Sequence, residues 1–219
     1  MLAEAQSVSD IAAYGCLQAA QYVGVPIDTL RRWIAKDGLI HTPAPNALSF
    51  NNLAEAHILK AMRKAHKLPL QKIRNALEEL TQRWPSAHPL LQKEFETDGV
   101  SLCIREADAV INLSKRSQQE FREFVSLYLH RIQRDGEGRV ARLYPFVVVD
   151  REGEPKHISI SPTVSFGKPV LAGTGISTSV IAGRFNARDS VEDLAREYGV
   201  SPVVLEDAIR WEMNKGRAA

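Results

Sequence analysis

Apolar residues at Leu17, Ala20 and Val23, with Ala19 beside them, recur at three-residue spacing and predict a short helix over 17–23. Gly24 ends it, because glycine adopts the left-handed conformation that turns the chain, and Pro26 suits the start of a second helix reaching about residue 36. Leu30, Trp33 and Ile34 share one face of that helix, which leaves Asp28, Arg31, Arg32 and Lys36 on the other sides. Residues 39–50 carry two prolines and an alternating Leu48 and Phe50, a pattern for a hairpin or wing. Asn51 and Asn52 are expected to cap a third helix with Leu53, Ala56, Leu59 and Met62 on its stripe. Pro69 starts a fourth, lined by Leu70, Ile73, Leu77 and Leu80, and Pro85 forces its end near Trp84.

Beyond Pro89 the pattern reads as strands over 100–104 and 109–113, after an Asp98-Gly99 turn. An amphipathic helix is expected over 118–134, with Phe121, Phe124, Val125, Tyr128 and Ile132 on one side, and a glycine-containing turn at 135–138 closes it. Residues 146–149 are β-branched and aromatic and predict a strand, 151–155 its turn, and 157–160 a returning strand. A glycine-spaced loop over 167–176 precedes three helices that begin at Ser177 or Thr178, at Asp189-Ser190 and at Ser201-Pro202, the last reaching about residue 215. The turn at Tyr198-Gly199-Val200 repeats the arrangement at Val23-Gly24-Val25. The expected architecture is therefore mainly α with small β elements (α+β). Its modules are a helix-turn-helix with wing over 1–88, a small α/β strand-helix-strand region over 89–155, suited to dimerisation, and a three-helix domain with a second helix-turn-helix-like unit over 156–219.

A chain of 219 residues fits two or three small modules. No apolar run approaches the roughly eighteen residues that a membrane helix needs. The first ten residues lack the basic, apolar and small-residue pattern of a secretory signal, so the expected location is the cytoplasm and no membrane partner is expected. Cys16 and Cys103 lie far apart in apolar contexts and read as buried thiols. The net charge of +2 is unevenly spread: residues 31–83 carry +6 and the remainder −4. A basic stretch in a nearly neutral protein suits a phosphate backbone, whose neutralisation releases counterions.

Helix, glycine turn, helix, short wing and two longer helices, with Thr29-Leu30-Arg31-Arg32-Trp33 in the second helix, resemble the DNA-binding domain of the MerR family over residues 14–83. That resemblance implies a second helix entering the major groove, with Arg31 gripping phosphate. Arg32 stands where that family usually begins an aromatic pair. Thr29, near the helix start, is placed to reach a base edge or phosphate, and Arg32 and Lys36 to add to the contact. His41 in the wing, with Arg63 and Lys64 on the third helix, are candidate flanking phosphate contacts.

The run Gly167-Lys168-Pro169-Val170, followed by Gly173-Thr174-Gly175-Ile176 and three helices, is similar to a small domain family of unknown function whose members are often antitoxins encoded beside PIN-like ribonuclease toxins. Gly175 stands where many members carry arginine. With a MerR-like head, the whole resembles the longer VapB-type antitoxins, which repress their own operon and bind the toxin. Residues 189–212 carry −5, a surface that phosphate repels, so the C-terminal domain is assigned to protein contacts. Gly173 and Thr174 of the signature are candidate toxin contacts. Lys168, Arg184 and Arg188 are candidates to enter the acidic metal site of such a nuclease.

The glycine loop lacks the Gly-Lys-Ser/Thr ending of a P-loop, and no His-Glu-x-x-His, Gly-x-Ser-x-Gly or Cys-x-x-Cys occurs. An enzyme, a resident metal and a cofactor are therefore not expected. The expected partners are operator DNA, a PIN-like ribonuclease toxin and either a second copy, giving a homodimer, or a toxin–antitoxin hetero-oligomer. Two other classes fit the pattern: a stand-alone MerR-like regulator that senses a ligand or protein through its C-terminal domain, and an adaptor that binds no nucleic acid.

Overall fold

The computed structural model describes residues 7–66, 69–111, 114–147 and 153–215. Among them helices dominate, with short antiparallel strand pairs, so the fold is mainly α with small β elements. The chain forms two compact units, Met1–His130 and Arg131–Ala219.

The first unit contains β1 (Tyr14–Gly15), α1 (Cys16–Val23), α2 (Ile27–Ala35), β2 (Ala47–Leu48), α3 (Phe50–His66), α4 (Leu70–Arg83), α5 (Val100–Ile111) and α6 (Lys115–Leu129). At its centre lies α3, where every residue from Asn52 to Leu59 is buried. One apolar stripe predicts a helix with a wet back; here α1 packs against α3 and so does α6, so Ala54, Ile58 and Ala61 are covered as well. Each buried leucine or isoleucine of this kind contributes roughly 1.5–3 kcal/mol.

The helix begins one turn earlier than the asparagines suggest. Ser49 Oγ accepts from Asn52 N (3.2 Å) while Asn52 Oδ1 accepts from Ser49 N (3.1 Å), a reciprocal box that satisfies two donors at the helix start. Asn52 Nδ2 also donates to the His41 carbonyl (2.9 Å), which fixes the segment leading into the wing. That wing is not a hairpin of its own. β2 pairs with β1, Tyr14 opposite Leu48, and the chain turns tightly between Ala44 and Ala47 through a left-handed Asn46.

The expected strands over 100–104 and 109–113 are instead one helix, α5, with Asn112 and Leu113 outside the described residues. Val100, Cys103 and Ile104 follow helical spacing, and Leu102 makes the run dense enough to read as a strand. Ahead of α5, Phe95–Gly99 forms a π-turn; a side chain at Gly99 would collide with the Phe95 ring, so the close approach needs glycine. α6 ends at Leu129, five residues before the expected limit. Phe121, Val125 and Tyr128 are buried where α6 meets α3, so the apolar face of the helix in the region expected to dimerise is covered within the chain.

In the second unit, residues Ile132–Arg134 form β3 and pair with β4 (Val140–Leu143). The turn between them is built by Asp135, whose Oδ1 accepts from Glu137 N and Arg139 N, both at 2.9 Å. β4 precedes the strand expected over 146–149; Phe146 and Val147 are not in a strand, and Val148 and Val149, like Arg151 and Glu152 of the following turn, lie outside the described residues. β5 (Ile158–Ser159) pairs with β6 (Val170–Leu171), and Ile160 bridges to Leu143.

Helices α7 (Thr178–Asn186), α8 (Val191–Tyr198) and α9 (Pro202–Lys215) follow as expected. Ser190 caps α8 by accepting from Asp193 N (3.1 Å), and Gly199 ends it at φ 64°. Leu171, Ile181, Leu194, Leu205, Ala208 and Ile209 form the buried core of these helices.

Candidate nucleic-acid interface

The turn between α1 and α2 is set by Gly24, at φ 72° and ψ 49°. Lys60 of α3 donates to the Val23 carbonyl (3.2 Å), placing a cation on the carbonyl end of α1, where the helix dipole favours it. Leu30 and Trp33 anchor α2 in the core at 0% and 1% exposure, so its remaining faces are turned outward. At the far end Gly38 turns left-handed and Leu39 N donates to the Trp33 carbonyl (2.8 Å). Arg74 of α4 donates through Nε to the Asp37 carbonyl (2.7 Å), tying that end of α2 to α4.

The outward face of α2 carries Arg31 and Arg32, whose side chains are 58% and 47% exposed, and Lys36 follows as its exposed C-cap. Arg31 lies 3.7 Å from the exposed Asp28, a loose surface contact, and Arg32 3.7 Å from Asp37, whose side chain is largely buried. Arg63, from α3, is close enough to Arg32 for repulsion to act. Partial burial chiefly, then the Arg32 charge, lowers its pKa, and Asp37 offsets this in part. Two helices thus bring like charges together, an arrangement that an anion relieves. Thr29 is half-buried in the first turn of α2, and His41 and Lys64 are exposed.

The other described basic residues of the stretch are engaged in contacts within the chain. Lys60 caps α1, Lys72 pairs with Glu106 (3.3 Å), Arg74 holds the Asp37 carbonyl, and Arg83 pairs with Glu79. Lys67 lies outside the described residues. The charge of +6 over 31–83 therefore overstates the cationic surface, and the candidates narrow to Arg31, Arg32, Lys36, Arg63 and Lys64.

The same unit holds a buried polar cluster that composition did not signal. His88 contacts Glu55 through Nδ1 (3.0 Å) and Asp10 through Nε2 (2.9 Å), and Asn52 Nδ2 approaches Glu55 (3.2 Å). Burial raises the Glu55 pKa, and hydrogen bonds and charge from His88, with Asn52, lower it only in part. Burial alone would lower that of His88, but Glu55 and Asp10 outweigh it, so the imidazole stays protonated above its ordinary value of 6.5. Beside the end of α2 a cavity of about 960 Å³ is lined by Lys36, Leu39, His41, Arg74, Leu77 and Thr81, among others.

The candidate partner residues of the second unit are dispersed in role. Arg184 is bound to Asp189 (2.6 Å), Glu197 and the Tyr198 ring and hydroxyl, which hold its guanidinium still more firmly charged; it clamps α7 to α8 and is not a free probe. Thr174 donates to the Leu171 carbonyl (2.8 Å) and accepts from Ile176 N (3.1 Å), so it shapes its own loop, and Gly173 supplies the left-handed turn at φ 80°. Lys168 and Arg188 are exposed, and among the described residues neither forms an ion pair. No group of histidine, cysteine and carboxylate residues suited to a metal occurs among the described residues, and no described helix is long and apolar enough to cross a membrane.

Residues 158–211 match the model of DUF433, a family described as a protein of unknown function. The chain is 28% identical over 233 residues to a Mycobacterium tuberculosis protein named, provisionally, antitoxin VapB45, covering 91% of this chain and 93% of that protein. It is 27% identical to uncharacterized protein Rv2308 of the same organism, over 94% of this chain and 92% of that one. The crystal structure of Rv2018 from Mycobacterium tuberculosis superposes with a TM-score of 0.73 at 26% identity, covering 91% of this chain and 98% of that chain. These likenesses run nearly the full length, so the similarity extends well beyond the DUF433 segment.

Proposed function

We propose that this chain is a two-ended antitoxin: the N-terminal unit binds operator DNA through a MerR-like helix-turn-helix, and the C-terminal unit binds and neutralises a PIN-like ribonuclease toxin. The outward cationic face of α2, joined by Arg63 from α3, carries the DNA half of this reading. The toxin half is supported by the likeness to the protein named antitoxin VapB45, and by the acidic 189–212 segment, which phosphate repels. Two copies on a two-fold operator would double a site that one short helix reads over only a few base pairs.

Gel shifts on the DNA upstream of the gene, run across a salt series, test the first half. Arg31→Ala is expected to weaken binding to all sequences and to lower the log-log salt slope by about 1. Unchanged affinity and slope would remove α2 from the groove. Co-expression with the adjacent reading frame tests the second half: growth inhibition by that neighbour should disappear, and its persistence refutes the antitoxin role.

The cavity beside α2 favours one other reading, a transcription regulator that responds to a small ligand. Its sensor would then lie in the N-terminal unit, against the end of the DNA-facing helix, rather than in the C-terminal domain. A regulator of that kind would leave the neighbour's toxicity unaffected in the same co-expression.

A further inference from the structure

The most exposed large apolar side chain among those described is Phe166, at 95%. It stands at the tip of a turn in which Ser165, Phe166 and Gly167 all have positive φ, at 48°, 56° and 74°. A left-handed non-glycine residue is costly, and two in succession, one of them aromatic, persist only where the surroundings impose them. Here they do. Gly167 N donates to the Val164 carbonyl (3.0 Å), Lys168 N to the Ser165 carbonyl (3.1 Å), and Ser165 Oγ to the Gly175 carbonyl (3.0 Å), which fastens the turn to the glycine loop of the DUF433 signature. The fold therefore holds a phenyl ring in water, on a rigid support, without any gain to its own core.

Charge indicates what receives it. From Pro155 to Arg188 the chain has four basic residues and no acidic one. Arg184 is neutralised by its carboxylates, while Lys168, two residues from the ring, and Arg188 form no ion pair among the described residues. Pairing of two copies through this turn would bring their two Lys168 ammonium groups together. A protein with an apolar pocket beside carboxylates fits, because the ring fills the pocket and the ammonium meets the rim.

We infer that the Ser165–Gly167 turn is the anchor of the C-terminal unit on its protein partner, with Phe166 inserted into an apolar pocket and Lys168 on that pocket's acidic rim. This rests on the antitoxin reading and names the contact that reading lacks. Pre-organisation in the free chain removes the ordering cost of the loop on binding.

The test uses the full chain and the purified product of the reading frame adjacent to its gene, with affinity measured by calorimetry and the state of each protein by sedimentation. Phe166→Ala is expected to weaken binding by about 30-fold or more. Phe166→Gly, which relieves the left-handed strain, should do the same while leaving the melting temperature unchanged or raised. Lys168→Glu should slow association, most at low salt. If the wild type binds and both Phe166 variants bind equally well, the anchor is refuted and the antitoxin reading stands. Absence of wild-type binding refutes both. A homodimer of the chain alone that Phe166→Ala dissociates assigns the ring to self-association and overturns the inference.

Discussion

Replacing His88 by alanine is expected to destabilise the N-terminal unit by about 3 kcal/mol, the low end of the cost of breaking a buried ion pair. Glu55 is 1% exposed and would lose its closest charged partner, while Asn52 Nδ2 still donates to it. Asp10 would lose the bond that joins the Val8–Asp10 turn to the Pro89–Leu91 turn. Unfolding in urea, followed by tryptophan fluorescence, measures the loss; a change below about 0.5 kcal/mol, the range of ordinary surface substitutions, would exclude a supporting role.

The same cluster sets a pH dependence whose sign follows from the two shifts. His88 has a raised pKa, so its contribution is complete below 6.5 and is lost as pH rises through the folded-state value. Glu55 is also raised above its ordinary 4.5, so ionising it in the folded state costs stability as pH rises. Both act in one direction, Glu55 from about pH 4.5 upward and His88 from about pH 6.5: the wild type should lose stability as pH rises from 6.5 to 8.5, and His88→Ala should lose less over that window. Wild-type stability that is flat or rises from pH 6.5 to 8.5 would refute the assignment. Because Asn52 joins Glu55 to the His41 carbonyl, the cluster also braces the segment that follows α2.

Arg131→Lys is expected to destabilise the C-terminal unit by about 3 kcal/mol, despite keeping the charge. Arg131 is 3% exposed, and its guanidinium donates to the carbonyls of Tyr144 (2.9 Å), Pro145 (3.0 Å), Glu154 (2.7 Å) and Pro155 (3.3 Å) while lying 4.4 Å from the centre of the Phe146 ring. A planar fork with five donors serves four carbonyls and a ring face at once; an ammonium cannot. Carbonyls left unpaired in a buried site cost about 1–3 kcal/mol each, less where water can enter. Thermal unfolding with wild-type and variant side by side checks this, and equal melting temperatures would show that the network is replaceable. The same unit also pins its last helix here, since Asn214 donates to the Val147 carbonyl (3.2 Å).

Local signals carried far. Apolar spacing, Gly24, Pro26, Pro69, Ser190 and Gly199 mark helices that the structure contains, because a helix period, a cap and a left-handed glycine are decided within a few residues. The reading failed where two periods competed, as at α5, and where a helix face has neighbours on several sides, as at α3. It failed again at residue 130, where the helix expected to run to Arg134 gives way to a strand, because Arg131 is drawn into carbonyls from 13 to 24 residues onward.

The sequence by itself thus determined the helical frame, the glycine turn before Arg31 and Arg32, and the signature of the C-terminal domain. Which charges face water was decided only by tertiary structure. Lys60, Lys72, Arg74, Arg83 and Arg184 are basic letters in the chain, yet in the fold each meets a carbonyl or carboxylate, most of them brought from a distant element. The Glu55–His88–Asp10 cluster joins residues up to 78 positions apart, and Phe166 is exposed only because its turn is fastened to Gly175. The reason is common to all of them: periodicity and capping act over one or two turns, whereas electrostatic pairing and exposure depend on what long-range packing places alongside.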